Sequence, residues 1–293
     1  MHGWIILDKP LGLGSTQGVS AVKRALRQGG YGKFKVGHGG TLDPLATGVL
    51  PIAVGEATKL AGRMLDSDKV YAFTIGFGVQ TDTLDLEGKE IAASDVRPTR
   101  VQLEAVLPQF TGPIEQVPPA YSALKVDGER AYDLARAGEE VLLAKRAVTI
   151  HALSIVEVTP DSATLTAHVS KGTYIRSLAR DIAIALGTVG HVTMLRRTRA
   201  GPFALEPAIS LDKLADAANA RTLEQLLLPL RAGLDDIPAL SLTPDQAGLL
   251  RQGRVLEGIH ADDGQHFALL GENPIALVEA KAGEIRVVRG FNM

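Results

Sequence analysis

The chain has 293 residues, 45% hydrophobic and 22% charged, the balance of a globular protein with room for one large domain and a small one. It contains no cysteine, which excludes a disulfide framework, a cysteine-based zinc site and a cysteine nucleophile. The formal net charge is only −2, yet residues 1–63 hold eight Lys/Arg against three acids, and residues 171–201 hold six against Asp181 alone. Two such basic segments serve as a phosphate-binding footprint if folding joins them; two unrelated solvated faces are the other reading. Trp4-Ile5-Ile6-Leu7 is too short for a signal-peptide core, and no run approaches the ~18 apolar residues of a membrane span. A cytoplasmic protein is the expectation.

Gly3–Asp8 reads as a short strand, ended by Lys9-Pro10 and a glycine-rich turn. Ser15 or Thr16 caps a helix near Val19–Leu26, and Gly29–Gly40 reads as loop. Gly37-His38-Gly39-Gly40-Thr41-Leu42-Asp43-Pro44-Leu45-Ala46-Thr47-Gly48 follows, with one carboxylate and no other charge. Glycines there allow backbone to approach a ligand closely, and the lone Asp43 is suited to act as nucleophile or base. Asp-Pro also has a plainer reading, a helix N-cap followed by proline at the first helical position.

Val70–Ile75 alternates like a strand, and Gly76–Gly88 is an acidic turn without the ligand pattern of a calcium loop. A helix is expected over Val101–Phe110, extended chain through Pro113, Pro118 and Pro119, and a helix over Arg130–Ala137. Val148–Val158 and Ala163–Val169 read as paired strands that take in His151 and His168, and no metal site is expected. Residues 173–186 have a helical apolar period, with Thr173 as cap and Arg176 and Arg180 on one side. Ser210–Arg231 reads as a Leu-rich helix, and short apolar runs beyond residue 236 as a small β-rich appendage.

The Gly37–Gly48 segment resembles the nucleophile motif of the TruB-type tRNA pseudouridine synthases. Gly3 to Pro10, Thr81–Gly88, Pro118–Gly128, Lys171–Arg176 and Leu195–Arg197 are similar to five further blocks of that family, in order, over roughly residues 3–200. Two departures stand out: Gly39 replaces a usual threonine, and the basic N-terminal tail is short. The resemblance implies an α+β catalytic core over 1–235, a mixed, largely antiparallel sheet flanked by helices. It also implies a small PUA-like RNA-binding domain over 236–293.

The same resemblance implies isomerisation of the tRNA T-loop uridine at position 55, by base flipping, with no cofactor or metal. Asp43 would be the catalytic carboxylate and Arg176 its electrostatic partner, although a phosphate contact is a second reading for Arg176. Tyr71 would stack on the flipped uracil, Tyr174 would lie near the base, Leu195 would line an apolar wall, and His38 would occupy vacated space. Lys9, Lys125, Arg196, Arg197 and Arg199 would serve phosphates. A tRNA T-arm is the expected partner, with no membrane or protein partner and a monomeric state. Three alternatives are a synthase acting on another RNA, a non-catalytic RNA chaperone, and a nucleoside or glycoside hydrolase. The hydrolase needs a second carboxyl group as acid, and the matched motifs are read as placing none at the pocket.

Overall fold

The computed structural model describes residues 1–293 apart from 123, 127–128, 139–140 and 142, and gives only the backbone of 125, 126 and 130. The strands before residue 230 are β1 (Gly3–Lys9), β2 (Val36–His38), β3 (Ala46–Val54), β4 (Lys69–Phe77), β5 (Val79–Thr81), β6 (Glu90–Ala93) and β7 (Gly112–Gln116), then β8 (Lys125–Val126), β9 (Glu129–Arg130), β10 (Arg146–Val158), β11 (Ser162–Val169), β12 (Gly190–Ala200), β13 (Phe203–Ala204) and β14 (Leu228–Pro229). Ten of them form one sheet with the order β14-β1-β3-β12-β4-β11-β10-β7, with β13 beside β12 and β2 beside β3. Within it only β12 and β3 run parallel, so the sheet is mixed and largely antiparallel.

The β3 segment is a near-continuous apolar run, and it lies buried on both faces between β1 and β12. Its parallel seam with β12 pairs Leu195 with Ala46 and Arg197 with Gly48. A Cβ on Gly48, at φ +101°, would stand 2.1 Å from the Arg197 carbonyl oxygen, so no other residue fits that seam. By contrast β11 alternates strictly, and Ala163, Leu165, Ala167 and Val169 point to one covered face.

Helix α1 (Ser15–Gln28) covers β1 and β3 together with a later helix over Leu211–Ala220, while the helix Ile175–Ala185 covers β4, β11 and β12. Tyr71 and Leu195 pack against both of these cores and so sit where they meet. Residues beyond 238 form a separate five-stranded sheet from Ala239–Ser241, Leu256–Glu257, Gly264–Leu270, Asn273–Lys281 and Glu284–Gly290. Leu277 of that sheet and Phe291 just beyond it share a core with Trp4, Leu230 and Leu234. Among the described residues no helix is long and apolar enough to cross a membrane.

Three expectations are corrected. Ser15 is the first helical residue rather than a cap, because its hydroxyl bonds to Leu42. Thr173 likewise donates back to the Ser170 carbonyl, and the next helix starts at Ile175 after Tyr174. The Leu-rich stretch is helical only over Leu211–Ala220. Arg221 adopts a left-handed conformation (φ 57°), and the chain then follows short turns and β14 so that Leu223 and Leu230 reach the core.

Candidate active site

Asp43 sits in the connection between β2 and β3. Its carbonyl accepts the Ala46 amide at 3.0 Å, so Asp43-Pro44 opens a β-turn rather than a helix. This leaves the carboxylate free of a capping role. Three buried side chains hold the surrounding backbone. Ser15 Oγ donates to the Leu42 carbonyl at 2.9 Å and accepts the Leu42 amide at 2.8 Å. Arg197, 1% exposed, donates to the carbonyls of Val49, Thr41 and Gly40 at 2.8, 3.2 and 3.1 Å. Lys9, fully buried, donates to those of Leu13, Pro10 and Pro44 at 2.6, 3.1 and 3.3 Å.

Lys9 and Arg197 form no ion pair among the described residues. Burial pushes the Lys9 ammonium down to about 8; the Asp43 charge opposes that shift and the Arg197 charge adds to it. Two cations are thus spent on carbonyls to fix the loop that carries Asp43, and their charge is not offered to solvent.

Arg176 comes from the first turn of the Ile175–Ala185 helix and is buried. Its Nη2 lies 3.0 Å from Asp43 Oδ2 and donates to the Tyr121 carbonyl at 3.0 Å. Its Nη1 donates to the Thr83 carbonyl at 2.9 Å and lies 3.5 Å from Asp85 Oδ2. One guanidinium therefore ties four segments together, the multiple pairing a buried charge requires. Gln116 fixes the start of the helix by accepting the Tyr174 amide at 2.8 Å and donating to its carbonyl at 3.0 Å. Arg180 grips the same 117–121 segment through the Val117 carbonyl.

A cleft of about 90 Å³ opens at this point. Leu11, Leu45, Ala46, Leu86, Val192, Thr193, Met194 and Leu195 make mainly apolar walls, and Asp43, Asp85 and Arg176 supply the charge. The Asp43 side chain keeps 44% of its exposure while Arg176 keeps 8%, so the carboxylate faces the opening and the guanidinium lies behind it. Leu11 and Leu86, both more than half exposed, form an apolar lip. A carboxylate so placed can attack an electrophilic carbon of a ligand that fills the cleft.

Asp85 corrects the expectation that no second carboxylate reaches the pocket. Its Oδ1 accepts from Thr83 Oγ1 at 2.5 Å and from the Glu87 amide at 3.0 Å, and Oδ2 faces Arg176. Those oxygens are occupied as acceptors, which suits a brace for Arg176 better than a general acid.

Of the other described residues singled out, only Leu195 lines the cleft. Tyr71 is partly buried on β4 between the two cores, and the Tyr174 ring lies 5.9 Å from the Arg146 guanidinium. His38 is half-buried, with its ring nitrogen 3.4 Å from the Gly40 amide; burial, then Arg197, pushes its pKa down. Arg196 is paired with Asp8 through two contacts of 2.9 Å, and the exposed Arg199 donates to the Gly201 carbonyl. The Lys125 side chain lies outside the described residues. A Cβ on Gly39 would stand 2.6 Å from Met64 Cβ, so a threonine has no room there in this chain.

The whole architecture has solved counterparts. The chain matches the crystal structure of a Cbf5-Nop10-Gar1 complex with a TM-score of 0.77 and 26% identity, over 99% of this chain and 84% of that one. An archaeal box H/ACA Nop10-Cbf5 complex matches with a TM-score of 0.73 at 24% identity, over 99% and 86%. The fold is that of a pseudouridine synthase. The family model described as TruB family pseudouridylate synthase, N-terminal domain, matches residues 23–175, and that of the tRNA pseudouridylate synthase B C-terminal domain matches 176–235. The chain belongs to the TruB family. It is 68% identical to tRNA pseudouridine synthase B of Novosphingobium aromaticivorans, over all of this chain and 98% of that protein. The same comparison with the Zymomonas mobilis enzyme gives 62%, over all of this chain and 96% of that protein.

Proposed function

We propose that this chain is the tRNA pseudouridine synthase of its cell, converting the T-loop uridine at position 55 in the cytoplasm. The observation that carries this reading is the contact of 3.0 Å between the half-exposed Asp43 carboxylate and the buried Arg176, at the mouth of an apolar cleft. The relatives that match over the full chain are named for the tRNA reaction.

The reaction breaks the bond between N1 of uracil and C1′ of ribose, turns the base, and joins C5 to the same C1′. The proton lost from C5 balances the one gained at N1, so no electrons or groups enter or leave. A uridine stacked in RNA reaches Asp43 only when flipped out, at a cost of a few kcal/mol. Stacking on an aromatic face returns about 1–3 kcal/mol, the role we assign to Tyr71. Arg176 holds the Asp43 carboxylate in place, and Leu195 packs the apolar wall against the base. Tyr174 and His38 belong beside the base and in the space it leaves. Residues 236–293 form the PUA-type RNA-binding domain in this reading, and 1–235 the catalytic domain.

Incubation of an unmodified tRNA transcript with wild type and with Asp43→Asn tests the reading. Pseudouridine from wild type alone is expected, with transcript affinity changed less than about tenfold, about 1.4 kcal/mol. Free uracil would instead mark a hydrolase, and binding without product an RNA chaperone.

A further inference from the structure

The open face of the sheet, opposite the helix that carries Arg176, holds a second cluster. On β11 the alternation that turns Leu165, Ala167 and Val169 toward that helix turns Thr166 and His168 the other way. On β10 the pairing slips between Ile150 and Ala152, so His151 is the extra residue of a β-bulge. The bulge leaves His151 and Ala152 both exposed, opposite His168, where strict alternation would send one of them inward. Asp68 immediately precedes β4, and β4, β11 and β10 are neighbours in the sheet. Three adjacent strands thus each bring one side chain to the same point.

The distances are those of a ligand set. Asp68 Oδ2 lies 3.1 Å from His151 Nε2 and 3.6 Å from His168 Nε2, and all three donor atoms lie within 4.8 Å of one another. Tetrahedral ligands bound at about 2.0–2.1 Å stand roughly 3.3 Å apart. Two edges already match, and the third is no longer than 4.8 Å. The His151, His168 and Asp68 side chains are 37%, 41% and 47% exposed, which leaves an entry path and room for water as a further ligand. Asp68 and His168 also line a cleft of about 500 Å³ with Asp66, Asp235 and Asp236, against Arg63 and Arg199. Arg63 is paired with Asp236 and Lys171 with Asp66, so the Asp68 carboxylate is left to the two imidazoles.

We propose that Asp68, His151 and His168 bind a divalent first-row metal ion. Imidazole and carboxylate donors in this number suit zinc, with at least one coordination position left to solvent. The expectation of a metal-free chain weighs ligand spacing along the sequence, and these three donors are joined only by the sheet. The site lies across the sheet from Asp43, so it is separate from the isomerisation.

Full-length protein titrated with Co²⁺ alone, read by its visible absorption and then displaced by Zn²⁺, tests this. One equivalent per chain is expected, with affinity lowered at least tenfold in His151→Ala and in His168→Ala. Circular dichroism checks that the variants fold, and Zn²⁺-induced shifts of the His151 and His168 ring signals in wild type need no variant at all. Equal binding by wild type and both variants, or ring signals that Zn²⁺ leaves unmoved, would overturn the assignment.

Discussion

Ser15 and Leu42 exchange two hydrogen bonds across the fold: the Ser15 hydroxyl gives one to the Leu42 carbonyl and takes one from its amide. The first turn of α1 is thereby pinned to the residue before Asp43. Ser15→Ala leaves two buried backbone groups without partners, at a cost of about 1–3 kcal/mol. We expect a lower urea midpoint and a slower single-turnover rate, with tRNA affinity nearly unchanged. An unaltered midpoint would show that water or a shift of the loop replaces the hydroxyl.

Arg176→Lys keeps the charge and loses the fork that reaches Asp43, Asp85 and two carbonyls at once. Turnover should fall about 100-fold, about 2.7 kcal/mol of barrier, while KM for tRNA moves less than tenfold. Single-turnover kinetics beside filter binding separates the two quantities. Were Arg176 a phosphate contact instead, affinity would fall and the rate at saturation would survive.

Much of this arrangement is legible in the sequence, and the boundary is physical. Asp43 stands out because it is the lone charge among glycines, and Arg176 because it closes the Lys171–Arg176 block that resembles the family. Ser15, Gln116 and Asp85 leave no such pattern, since their partners lie on distant segments. Lys9 and Arg197 mislead in a different way: counted as surface charge they read as phosphate ligands, whereas both are buried against carbonyls. The paired strands β10 and β11 follow from alternation, but β12 alternates less regularly and is set by its two neighbours.

The Lys9 ammonium gives a pH signature. Folded, it releases its proton near 8 rather than at the ordinary 10.5, chiefly because it is buried. Between those values the unfolded chain holds more protons, so this group's contribution to stability rises with pH there and is flat below. The margin of wild type over Lys9→Met should therefore widen from pH 8 toward 10.5, as read from urea midpoints. A constant margin would mean that the ammonium titrates normally.

Gly39→Thr should weaken the protein. The new Cβ meets the root of Met64, not its flexible end, so the side chain cannot swing clear. Overpacking of this kind costs about 1–3 kcal/mol. A variant as stable as wild type would show that α2 (Ala61–Asp66), which carries Met64, yields easily.

The position of β12 between β3 and β4 matters for a chain still being made. Asp43 and Arg176 both precede residues 190–200 in the chain, yet β3 and β4 have no direct pairing and meet across that later strand. Arg197, which clasps the Asp43 loop, arrives with it. A nascent polypeptide ending before residue 190 should thus carry both Asp43 and Arg176 and remain inert.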